Sequence, residues 1–251
     1  MKWLLFMVGL ILIVGYVRNN PVALPDSLSF NSPSPVPKTQ GTEITHKDVS
    51  YTVYAQSVDP TQLSLIPNFT ERKTTQRIMS ENNCKFGTNA GFYTPQQQPL
   101  GFFSTDGNAH AKSPTVRSGL LNGYVVKTNT ALLITNQLPT QSTMQFGFQS
   151  GPLFTPEQKL TITNDEPDRR VLLGKTSDNE IFFIAIVAAD NVHSGPLLAD
   201  LPQIFQAFSE LGTQQFIQLI NLDGGSASAF YGEQAKLQEL VSVGSFLCEV
   251  E

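Results

Sequence analysis

Val49–Val58 reads Val-Ser-Tyr-Thr-Val-Tyr-Ala-Gln-Ser-Val, a near-alternation of apolar and polar side chains. Successive side chains of a strand point to opposite faces, so this period buries one face of a sheet and wets the other. The same period, or a short apolar run closed by a turn, returns at residues 63–66, 84–86, 120–126, 131–135, 146–148, 171–174, 181–189, 216–220, 237–243 and 245–250. One segment carries a clear helical stripe: Leu201, Ile204, Phe205, Phe208 and Leu211, opened by Ala199 or Asp200, with Pro202 in the first turn and Gly212 at the end. A weaker surface helix is expected over residues 70–82, capped by Thr70. Asp59-Pro60, Asp106-Gly107 and Asp178-Asn179 mark short turns. Strands outnumber helices, so the fold class is α+β (mixed α/β): one domain of largely antiparallel or mixed β-sheets with few helices.

The first forty residues cannot join that domain. Lys2, an apolar run over residues 3–17 and Arg18 form a basic n-region and an h-region, which direct export. The run is short of the about twenty residues that span a bilayer, and no small-residue cleavage site follows it. Residues 1–18 therefore read as an uncleaved membrane anchor or as a signal peptide cut at an atypical site. Residues 19–40 hold Pro21, Pro25, Pro33, Pro35 and Pro37 among Ser and Asn, a stalk rather than a core. The folded part spans residues 41–251, placed outside the cytoplasm, in a periplasm or comparable space, with residues 3–17 as its tether in the anchored version. A net charge of −5 gives no electrostatic footprint for nucleic acid. No cofactor fingerprint or metal-ligand spacing appears, so neither a cofactor nor a metal is assigned.

Chemistry concentrates where strands end. Residues 216–220 run apolar into Asn221-Leu222-Asp223-Gly224-Gly225-Ser226, which delivers one carboxylate at a sheet edge beside two glycines and a hydroxyl. Backbone N–H groups in such a turn can cradle an anion. A plain hairpin turn is the ordinary alternative. Asn89 in Thr-Asn-Ala-Gly-Phe-Tyr, and Gln149, Ser150 and Gly151 in Gln-Ser-Gly-Pro, repeat the pattern of a polar side chain where a strand meets a tight turn. Arg169 and Arg170 alternate in a strand, so one faces each side of the sheet, and an interior guanidinium must find an anion. His193-Ser194-Gly195-Pro196 is the loop that leads into the helix.

In this order the motifs resemble the phosphodiester glycosidase family, which includes the animal enzyme that removes N-acetylglucosamine from a phosphodiester. The resemblance covers residues 45–250 and rests on the ordered set, since each motif alone is weak. It implies hydrolysis of the C1–O bond of a sugar-1-phosphodiester, releasing free sugar and a phosphomonoester. On that basis Asp223, Asn89 and Arg170 are the catalytic candidates. Gln149, Ser150, Gly151, Ser194, Asn221, Gly224, Gly225 and Ser226 are the substrate-binding ones. Two departures stand out: Ser226-Ala227-Ser228 shifts the small-residue tail, and no Arg follows Arg170. The alternative is a non-catalytic protein that binds envelope glycans or phospho-polymers with the same pocket. A phosphodiesterase cutting P–O is a third reading, and would ordinarily use a metal cluster. Cys84 and Cys248 form one disulfide in an exported protein or stand as two buried thiols; their spacing does not choose between these.

Overall fold

The computed structural model describes residues 41–106, 108–109, 118–139, 144–212 and 214–251. The leader and linker, residues 1–40, lie outside the described residues. Three sheets form, and every strand pairing among the described residues is antiparallel.

The first sheet runs, in spatial order, β1 (Thr42–His46), β2 (Val49–Val58), β12 (Ile181–Ala188), β11 (Arg170–Thr176), β13 (Phe216–Asn221) and β10 (Leu153–Phe154). The second runs β15 (Lys236–Leu237), β14 (Phe230–Tyr231), β4 (Cys84–Asn89), β16 (Ser245–Val250) and β3 (Leu63–Pro67). The third runs β6 (Asn108–Ala109), β5 (Phe103–Thr105), β9 (Met144–Ser150), β7 (Gly123–Thr128) and β8 (Leu132–Thr135). Two α-helices complete the described part: α1 (Thr75–Glu81) and α2 (Leu201–Glu210).

Alternation along β11 shows how the layers are built. Val171 and Leu173 point into a central core shared with Phe86 and Leu247 of the second sheet and Phe146 and Phe148 of the third. Leu172 points the other way, onto Ile204, Phe205 and Phe208 of α2. β11 and β12 are thus covered on both faces, which is why they read as continuous apolar runs. Each fully buried Leu, Ile or Phe on the α2 stripe contributes about 1.5–3 kcal/mol. The second sheet covers its outer face with Ile78 of α1, packed on Phe246 and Cys248.

Cys84 and Cys248 are joined in a disulfide that links β4 to its neighbour β16, with 5.4 Å between Cα atoms. This closes the choice that their spacing left open.

Several expectations shift. The first helix starts at Thr75, with Thr74 rather than Thr70 accepting from the Arg77 N–H. Asn68 holds residues 69–73 out of the helix by bonding both backbone groups of Lys73. Leu211 leaves the α2 stripe and is 57% exposed, because the helix has already ended. Residues 238–243 are a loop and not a strand, since their backbone groups bond to side chains and turns instead of a ladder.

Candidate active site

Asp223 follows β13 by two residues, at the seam between the first two sheets. Its N–H donates to the Ala90 carbonyl at 3.0 Å. Its own carbonyl accepts from Asn89 Nδ2 at 2.6 Å, while Asn89 Oδ1 accepts from the Ala229 N–H at 2.8 Å. One buried amide on β4 therefore fixes the chain on both sides of the Asp-Gly-Gly turn. Leu222 N–H adds a bond to the Val171 carbonyl at 2.9 Å, so the turn is tied to β11 as well.

The turn needs its glycines for different reasons. Gly225 sits at φ +62°, and a Cβ there would lie 2.3 Å from Asp168 Oδ2. It is required both by backbone conformation and by the carboxylate packed on it. Gly224 is extended, and a Cβ on it would stand 3.6 Å from Arg170 Nη1.

Asp168 is the second carboxylate of the site. It stands just before β11, with Oδ1 accepting the Arg169 N–H at 3.0 Å. Burial is the main force on Asp223, raising its pKa from 3.8 to about 7; the Gly224 N–H opposes this and the Asp168 charge adds to it. Burial raises the phenol pKa of Tyr93, and the Asp223 charge raises it further.

Both arginines are buried, contrary to one on each face. β11 begins at Arg170, so Arg169 belongs to the incoming loop and does not follow the alternation. Arg169 bonds Ser228 Oγ at 2.6 Å and the carbonyls of Ser228 and Gln238. Arg170 Nε donates to the Pro196 carbonyl at 2.9 Å; Nη2 donates to the Glu166 carbonyl and lies 3.5 Å from Asp165 Oδ1. Its Nη1 makes no hydrogen bond among the described residues, and this is the nitrogen beside Gly224.

The remaining candidates divide into two groups. Gly224, Gly225 and Ser226 form the turn with Asp223, and Ser226 is exposed. The Ser194 loop flanks it: a Cβ on Gly195 would meet the Asp168 carbonyl at 2.4 Å, and the half-buried Ser194 bonds Ala188 N–H through its carbonyl. His193 is exposed. Gln149 is instead spent within the third sheet, and Ser150, Gly151 and Asn221 stitch that sheet to the first. Gln149 donates to the Leu121 carbonyl at 2.7 Å, and Ser150 Oγ donates to the Asn221 carbonyl at 2.7 Å. Asn221 Nδ2 in turn donates to the Gly151 carbonyl at 3.1 Å.

The supposed anion cradle is largely committed. Gly225 N–H donates to the Arg169 carbonyl at 3.0 Å, and Gly224 N–H serves the Asp223 carboxylate. Asp168 is the residue that sequence reasoning missed. Its signal was position, a carboxylate immediately ahead of the paired arginines. Among the described residues no group of three or more His, Cys, Asp or Glu converges as a metal centre requires.

A carboxylate with a pKa near neutrality, a second carboxylate and a guanidinium nitrogen around one tight turn suit hydrolysis at a carbon bonded to an anionic leaving group. Residues 82–245 match the model of the phosphodiester glycosidase family, and the chain belongs to that family. No curated protein matches the sequence. Among solved structures, the catalytic domain of zebrafish N-acetylglucosamine-1-phosphodiester alpha-N-acetylglucosaminidase, auto-inhibited by its pro-peptide, superposes with a TM-score of 0.59 at 15% identity. That match covers 84% of this chain and 81% of the zebrafish one. A hypothetical protein from Synechocystis superposes with a TM-score of 0.56 at 14% identity, over 83% of this chain and 61% of that one. These likenesses show a shared fold.

Proposed function

We propose that this protein is an exported glycosidase that hydrolyses the C1–O bond of a sugar-1-phosphodiester. The observation that carries the reading is the meeting of Asp223, Asp168 and Arg170 Nη1 around the Gly224-Gly225 turn. Water attacks C1, its proton passes to the Asp223 carboxylate, and the C1–O bond breaks with its electrons leaving on the phosphomonoester. A phosphomonoester is a far better leaving group than an alkoxide, so a strong general acid is dispensable. Arg170 Nη1 meets the phosphate charge, where a charge-assisted bond is strongest. Asp223 does its work ionised, and a base with a pKa near 7 suits neutral conditions.

Asn89 acts as a positioning residue, since its amide is spent on the backbone around Asp223. Gln149, Ser150, Gly151 and Asn221 hold the neighbouring sheet in place, and Ser194 and Ser226 remain to meet sugar hydroxyls. Export is supported by the Cys84–Cys248 disulfide, which persists in oxidising compartments, together with the basic and apolar leader. Among the described residues no helix is long and apolar enough to cross a membrane.

Release of free sugar from a panel of sugar-1-phosphodiesters tests the reaction. Solvent ¹⁸O should appear in the sugar; its appearance in the phosphate would mean P–O cleavage. Asp223→Asn should abolish release, and binding without any release by the unaltered protein would leave only a glycan-binding role. Arg170→Ala should raise KM for the phosphodiester at least tenfold, an effect of the size expected for one charge-assisted bond, about 1.5–3 kcal/mol.

A further inference from the structure

Leu240 and Val241 are adjacent, large, apolar and exposed by 63% and 47%. Scattered surface leucines need no explanation, but this pair sits on a backbone held in place along its length. The Gln238 carbonyl accepts from Arg169 Nη2 at 2.8 Å. Glu239 takes the Thr75 N–H at 2.7 Å and the Thr75 hydroxyl. Leu240 and Val241 donate their N–H groups to the Ser226 carbonyl at 2.7 and 3.0 Å. The Ser242 carbonyl accepts from Tyr93 at 2.8 Å, and the Val243 carbonyl from Asn68 Nδ2 at 2.9 Å. A loop so bound cannot fold its apolar side chains away.

The same bonds place the pair at the candidate active site. Ser226 is three residues from Asp223 in the tight turn, and Tyr93 is the phenol that feels the Asp223 charge. The loop is thus tied to the Asp223 turn and to Tyr93. We propose that Leu240 and Val241 form a subsite for an apolar alcohol on the phosphate of the substrate, so that the natural phosphodiester joins a sugar to a lipid-like chain. This rests on the glycosidase reading above and names the substrate class for that site. The chemistry fits the anchored version of residues 1–18: an apolar leader followed by a proline-rich stalk of 22 residues, 19–40, would hold the site beside a membrane where such alcohols reside.

The test compares the methyl and decyl esters of N-acetylglucosamine 1-phosphate on the full-length protein. Each methylene moved from water onto an apolar surface is worth about fourfold when fully buried, so burying the equivalent of about two to three methylenes on the pair should favour the decyl ester by about 10–100-fold in Kd. Binding is measured on the Asp223→Asn protein, where turnover does not interfere. The Leu240→Ser, Val241→Ser double change should cut the decyl-to-methyl ratio to within about threefold. Equal affinity of the Asp223→Asn protein for the two esters overturns the subsite, as does the same protein carrying the double change if it keeps the ratio. A double variant that changes oligomeric state but not the ratio also overturns it, assigning the pair to contact between copies. Hydrolysis of the methyl ester by the unaltered protein reports on the glycosidase reading separately, because that ester does not need the apolar pair.

Discussion

At the scale of single residues, Asp223 carries a cost that the proposed chemistry would use. A carboxyl whose pKa rises from 3.8 to about 7 on folding takes up a proton as the chain folds. Its contribution to stability is complete below about pH 3.8, declines as pH rises through the window between the two values, and is gone above about pH 7. Asp223→Asn removes the charge and keeps the shape, so thermal or urea unfolding at pH 8 should show that variant more stable by about 2–4 kcal/mol. Unaltered or lower stability would mean that the carboxylate is well solvated in the fold. In the active protein, kcat/KM should rise with pH through about 7 and then level, following ionisation of the base. Asp168→Asn removes the neighbouring like charge and should move that rise to lower pH, with burial, the larger cause, still holding it above the ordinary carboxylate range. Gly225→Ala meets both a left-handed backbone and the Asp168 carboxylate at 2.3 Å. It should cost about 1–3 kcal/mol and nearly all activity, measured by denaturant unfolding and by turnover.

Among elements, the sequence was most informative where burial alone decides. β2 and β16 take the bounds their alternation suggests, and α2 carries its apolar stripe inward. Reading failed where long-range polar partners decide. Residues 237–243 alternate like a strand, yet Arg169, Thr75, Ser226, Tyr93 and Asn68 claim their polar groups, and those partners lie up to 175 residues away. The site candidates show the same divide. Asp223 and its glycines were legible from a run of apolar residues ending in a carboxylate. That the Asn89 amide would be used on the Asp223 and Ala229 backbone was not, because nothing local to Asn89 names its partners. Asn89→Ala should therefore act through geometry, lowering kcat by at least tenfold while KM changes less, and also costing stability of about 1–3 kcal/mol from the unpaired backbone groups. Steady-state kinetics together with an unfolding curve check both parts.

Across the whole molecule, the three sheets share one core, and the Cys84–Cys248 disulfide closes a separation of 164 residues within the second sheet. Cross-links that span long loops restrict the unfolded chain most. Replacing both cysteines by Ser should lower unfolding free energy by about 2–5 kcal/mol, read from denaturant curves. The pH dependence of turnover should survive in that variant, since neither Asp168 nor Asp223 contacts the bridge.

The bond from Asn89 to Asp223 spans 134 residues, and among the described residues β4, which bears Asn89, pairs with β14 and β16, both later in the chain than Asp223. The candidate site is consequently complete only in a chain that extends through β16, whose Phe246 pairs with Asn89. A version truncated before β16 should lose the support of Asn89, and with it the bonds that hold the Asp223 turn.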